Sequence, residues 1–127
     1  MTKKEMAVNA LIQSSEEIGL VPTLNAVFGK TVKVKIPFTK RACEASIDDI
    51  EFSPRANNSM KRGSVFTIGE IIDIINGEDG LKRIRNLGTK TENEIKTRLL
   101  VYAYERLTDN EKKIFFYDVL TENCHIN

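Results

Sequence analysis

The sequence predicts a mainly α protein: a compact domain of four to five short helices organised around a hairpin between two of them. An N-terminal extension, helical with one strand-like segment, precedes it. Three observations carry this reading. Apolar residues recur at helical spacing, Gly and Pro fall mostly between those stretches, and Ser or Thr stands at capping positions where several stretches open. With 127 residues and 41% apolar content, the sequence suffices for one domain with an extension around a small core.

Residues 3 to 18 lack Gly and Pro and carry a weak stripe through Ala7, Leu11 and Ile18, so they form a helix that Gly19 ends. Pro22 to Phe28 is a short second helix stopped by Gly29. Thr31 to Ile36 alternates apolar and basic residues, the period of a half-buried strand, and Pro37 closes it. A lone strand needs a partner. This one either joins a strand of another subunit or lies as an extended arm on its own domain. Ser53-Pro54 opens a helix running from Arg55 to Arg62, because serine caps and proline fits the first helical position; Gly63 stops it. Thr67 and Glu70 have capping-box spacing and open Ile68 to Ile75, ended by Asn76-Gly77. Asp79 to Arg85 is the next short helix. Two overlapping capping boxes, Thr89–Glu92 and Thr91–Glu94, open a helix that runs to about Leu107, and Thr108–Glu111 opens the last one. The expected division is an extension at 1–46, the hairpin domain at 47–107, and a further helix packed on it at 108–127.

Composition excludes several classes of function. The net charge of +1 rules out a polycationic coat, so any electrostatic binding comes from local asymmetry. Lys30 to Arg41 holds five basic residues and no acid, while Glu44 to Glu51 holds four acids and no base. The cluster Lys33, Lys35, Lys40 and Arg41 reads as a charged strand surface. Cys43 and Cys124 read as reduced thiols, since Cys124-His125 lacks two further ligands at metal-site spacing. No apolar run approaches the roughly 20 residues of a membrane span and no signal peptide is visible, so a soluble, cytoplasmic protein without a membrane partner is expected. The single histidine and the lack of a nucleophile motif, a phosphate loop or a metal cluster point to a non-enzyme. No catalytic residue, metal or cofactor is expected.

The stretch from Leu81 to Ile95 is the candidate site. It ends one helix, turns at Leu87-Gly88 and starts another, and Leu81 to Arg98 carries six basic residues against two acids. Glycine tolerates positive φ and close backbone approach, and the free amides of a helix start suit a phosphate. Lys82, Arg83 and Arg85 read equally as a solvated face.

Over residues 47–100 the sequence resembles the C-terminal domain of the bacterial RNA polymerase alpha subunit. Two markers carry the resemblance: Asp48-Asp-Ile-Glu-Phe-Ser-Pro-Arg-Ala-Asn-Asn-Ser-Met60 and Arg85-Asn-Leu-Gly-Thr-Lys-Thr-Glu-Asn-Glu-Ile95. The second is a version of the helix–hairpin–helix, and the two together are more specific than either alone. The resemblance implies a transcription-related protein that grips the minor groove of A·T-rich double-stranded DNA. It carries that role over to Arg55, Asn58, Gly88, Lys90, Thr91 and Glu94. Asp48, Asp49 and Glu51 stand at the family's acidic edge, which meets sigma factor. The alternative is therefore a protein-interaction module that binds RNA polymerase, sigma factor or another regulator through that edge. Ser59 and Thr91 depart from the cysteine and serine frequent at those positions. About 46 residues precede the match and do not resemble the large N-terminal domain of an alpha subunit, so a free-standing relative is expected.

Overall fold

The computed structural model describes residues 2–84 and 87–124, the side chains of Arg41 and Cys124 excepted. In sequence order the helices are α1 (Lys3–Ile18), α2 (Leu20–Phe28), α3 (Lys40–Cys43), α4 (Pro54–Arg62), α5 (Ile68–Ile75), α6 (Thr89–Glu105) and α7 (Asp109–Cys124). Single 3-10 turns lie at Ile47–Asp49 and Gly80–Arg83. The mainly α class holds, and among the described residues there is no strand, only an isolated antiparallel bridge between Ser46 and Thr67. Of Asp79 to Arg85, expected as a helix, the described residues form the 3-10 turn Gly80–Arg83, and Arg85 lies outside them. The protein divides into two units: Phe38–Ala103, and Met1–Pro37 together with Tyr104–Asn127.

In the unit Phe38–Ala103, α4 and α5 start where their sequences provide a cap, whereas α6 starts at Thr89 itself and Glu94, expected in a capping box with Thr91, accepts from Ser53 instead. Thr67 and Glu70 close the capping box of α5 in both directions, with the Glu70 N–H donating to Thr67 Oγ1 at 3.2 Å and the Thr67 N–H donating to Glu70 Oε1 at 3.0 Å. Helix α4 ends at Arg62 with Gly63 as its C-cap, as expected, but the closure runs one residue further. The Val65 N–H reaches back to Met60 O at 2.9 Å and the Ser64 N–H to Lys61 O at 3.0 Å, which is a Schellman closure. Its left-handed residue is Ser64, at φ 63°, not the glycine before it. Gly69 has a packing reason instead: a Cβ there would stand 3.0 Å from Cys43 O, so α5 passes the end of α3 at glycine distance. Ile47, Met60, Ile68, Ile71, Leu81, Ile95 and Leu99 are fully buried. At about 1.5–3 kcal/mol for each large apolar side chain, this core is the main force holding the short helices together.

The other unit gathers the two ends of the protein. Gly19, at φ 97°, ends α1 and starts α2, a backbone conformation that side chains disfavour. Val8, Leu11, Leu20 and Leu24 are buried, as are Phe115, Phe116, Val119 and Leu120 of α7. Tyr104, Phe115 and Phe116 pack ring to ring with centroids 5.1–5.6 Å apart, and the Tyr104 hydroxyl shares a 2.8 Å hydrogen bond with Ser15. Thr31 to Ile36 keeps the predicted alternation, with Val32, Val34 and Ile36 half-buried and Thr31, Lys33 and Lys35 exposed. It forms no ladder. It is an extended arm, held by Asn123 of α7: the Lys33 N–H donates to Asn123 Oδ1 at 2.8 Å, and Asn123 Nδ2 donates to Lys33 O at 2.8 Å.

Candidate nucleic-acid interface

The site begins with the serine that starts α4. Ser53 Oγ accepts the Ala56 N–H at 3.2 Å, and Pro54 fills the first helical position. Ser53 is itself held by α6, because its N–H donates to Glu94 Oε2 at 2.8 Å and its hydroxyl to Glu94 Oε1 at 2.7 Å. Burial works against the charge of Glu94. The two Ser53 hydrogen bonds and the Arg98 charge outweigh it, so the carboxyl is held below its ordinary value. A carboxylate near the start of one helix thus fixes where the other helix begins.

Arg55 and Asn58 lie one turn apart on α4; Arg55 is exposed, and so is Asn58. With Lys61 and Arg62 they line a shallow surface concavity. Among the described residues no ion pair joins Arg55 to Asp49 or Glu51, its nearest acids in sequence, so neither of them neutralises its guanidinium. Lys61 pairs with Asp48 at 3.1 Å, and Arg62 Nη2 donates to Ser59 Oγ at 3.3 Å. Sequence reasoning missed Lys61 and Arg62, although Arg55, Asn58 and Arg62 stand at the three- and seven-residue offsets of one helix face.

At the hairpin, α6 starts at Thr89, directly after the exposed Gly88, and the Glu92 N–H donates to Gly88 O at 2.9 Å. The amides before Glu92 have no acceptor within the helix and point out of its positive end. Gly88 is not among the left-handed glycines, and among the described residues nothing lies within 4 Å of the place a Cβ would take. Among the described residues, therefore, the backbone uses neither the positive φ nor the close internal approach that glycine allows here. Lys90 is exposed, while Thr91 is buried at 7% exposure, so its hydroxyl lies under the surface. Arg85 and Asn86 lie outside the described residues.

Ser53 and Glu94 thus join the start of α4, the helix that carries Arg55 and Asn58, to the second turn of α6. The structure turns Glu94 and Thr91 inward. The acidic edge is partly spent as well. Asp48 accepts from Lys61 and, at 3.3 Å, from Asn57 Nδ2, and these hydrogen bonds hold its carboxyl below the ordinary value. Asp49 Oδ2 accepts the Ser46 N–H at 3.1 Å, completing the cap of the 3-10 turn, and Glu51 is exposed. Among the described residues no group of three or more metal-ligating side chains occurs, and the Cys124 side chain and His125 fall outside what is described. No described helix is long and apolar enough to cross a membrane.

Comparison with known proteins adds an independent line. The sequence is 41% identical over 61 residues to the DNA-directed RNA polymerase subunit alpha of Rubrobacter xylanophilus, which covers 48% of this protein and 19% of that one. It is 46% identical over 54 residues to the subunit of the same name from Hydrogenobaculum sp., covering 42% of this protein and 16% of the other. To that of Corynebacterium glutamicum it is 42% identical over 53 residues, covering 42% and 15%. The match spans less than a fifth of the length of these relatives. No solved structure matches significantly. The family model for the C-terminal domain of the bacterial RNA polymerase alpha subunit matches residues 36–100, half of the sequence. On that match, the protein belongs to the family of bacterial RNA polymerase alpha C-terminal domains.

Proposed function

We propose that this protein is a non-catalytic, transcription-related protein that binds double-stranded DNA through α4 and the start of α6. The observation that carries the reading is the exposed pair Arg55 and Asn58, on one helix face and tied through Ser53 and Glu94 to a helix start whose amides are open. A planar, permanently charged guanidinium suits the narrow, strongly negative minor groove of A·T tracts. The Asn58 amide can donate to groove acceptors, and Lys90 with the α6 amides can hold phosphates, which position the protein without reading sequence. Glu94 and Thr91 serve this site from beneath, Glu94 by placing the start of α4. RNA polymerase or sigma factor is the natural protein partner under this reading, with Glu51 the most available acid of the edge. The internal bonds of Asp48 and Asp49 favour DNA over the edge as the principal surface.

Substituting Arg55→Ala tests the proposal. DNA affinity should fall by about 1–3 kcal/mol with the melting temperature unchanged. Unaltered affinity would remove Arg55 from the interface and with it the minor-groove reading.

A further inference from the structure

We propose that the arm from Thr31 to Pro37 is a docking edge for an extended acidic peptide, which adds to it as a β-strand and sets its carboxylates against Lys33 and Lys35. The arm falls almost wholly outside the residues that match the family, so the proposal is independent of the DNA reading. In an extended backbone, successive residues direct their N–H and C=O groups to opposite edges. Lys33 directs both groups toward α7, where Asn123 takes them at 2.8 Å. Val32, Val34 and Ile36 therefore direct theirs to the other edge, and among the described residues no hydrogen bond satisfies them. Such an edge is a template for a strand. One face of the arm is half-buried and the other carries Lys33 and Lys35, so register and charge are both defined.

The surroundings choose the occupant. Between the arm and α7 lies a cleft of about 300 Å³, where Asp118 and Glu122 stand opposite Lys33 and Lys35. An acidic strand is repelled from that side and drawn to the outer edge. A second copy of the arm is a poor occupant, because antiparallel pairing with faces matched sets Lys33 across from Lys35. A nucleic acid would meet the lysines but offers no regular ladder of amide donors and acceptors for the open backbone groups.

The test uses the intact protein and a fluorescein-labelled hexapeptide, Val-Glu-Val-Glu-Val-Glu, followed by fluorescence anisotropy. Saturable binding should weaken with salt and fall at least tenfold in the double variant K33E/K35E. Both lysines are exposed, and circular dichroism checks that the variant is folded. Two further peptides are N-methylated on alternate residues, one on each set. A strand pairs through one set only, so one methylated peptide should lose binding at least tenfold while the other keeps it. Equal affinity of the two methylated peptides would overturn strand addition. So would tighter, lysine-dependent binding of an oligothymidylate of the same length, which would assign the arm to nucleic acid.

Discussion

Replacing Gly88 by alanine separates the fold from the binding surface. Gly88 lies outside the left-handed region, and nothing described lies within 4 Å of its missing Cβ, so alanine fits. Gly→Ala at a compatible site stabilises by about 0.4–1 kcal/mol through the unfolded state. Glycine is nevertheless a better residue than alanine before the first helical position, which offsets up to about 1 kcal/mol. The net change should stay within about 1 kcal/mol, a shift of at most roughly 4–8 °C for a domain of this size. On the proposed DNA surface the same methyl would stand between the backbone and a phosphate. Loss of one amide bond to a charged acceptor costs about 1.5–3 kcal/mol, roughly a ten- to hundredfold loss in affinity. Thermal unfolding by circular dichroism and anisotropy with a labelled duplex read the two effects separately. Undiminished DNA affinity would refute the close approach, and a collapse of the melting temperature would show that glycine is needed by the fold after all.

Two other variants test the frame that holds the site. Glu94→Gln replaces a carboxylate that accepts two hydrogen bonds from Ser53, and should cost about 1–2 kcal/mol at pH 7, less than a fully buried charged bond because Glu94 is partly exposed. Its folded pKa is held below the ordinary 4.5, so its contribution is complete above that value and is lost as the pH falls through the folded pKa. Unfolding measured below about pH 4.5 should therefore be flatter in the variant than in the parent, and parallel pH profiles would contradict the role given to Glu94. In Tyr104→Phe the Ser15 hydroxyl keeps its 2.7 Å bond to Ile12 O, so denaturant unfolding should show a loss of only about 0.5–1.5 kcal/mol.

Much of the fold was legible because its starts and stops are local chemistry. Ser53-Pro54 and the Thr67–Glu70 box open α4 and α5 where the residues say, and Gly29 ends α2, which begins at Leu20 and not at the expected Pro22. The end of α4 was less legible, since its Schellman closure places Ser64 in a conformation usually given to glycine. The grouping of the two ends of the protein was not legible, because Ser15 meets Tyr104 across 89 residues and the division at Ala103 falls inside α6, with no Gly or Pro to mark it. The arm shows the limit of periodicity. Alternation correctly sorted its faces, but only Asn123, 90 residues away, decides that it lies on α7 without a ladder. At the site, residue types and spacing pointed to the hairpin, while Arg55 and Asn58, which the structure leaves exposed on α4, were pointed to by the resemblance. The inward turn of Glu94 depends on Ser53, 41 residues distant, and Asp49 was claimed by a cap within its own turn.

The most direct test of the central claim is fluorescence anisotropy of the intact protein with an A·T-rich and a G·C-rich duplex across a salt series. Minor-groove docking through Arg55 and the hairpin predicts tighter binding to the A·T-rich duplex, weakening with a log–log slope of about −3 to −5 for three to five phosphate contacts. Absence of binding at low salt, or equal affinity for the two duplexes, would contradict it.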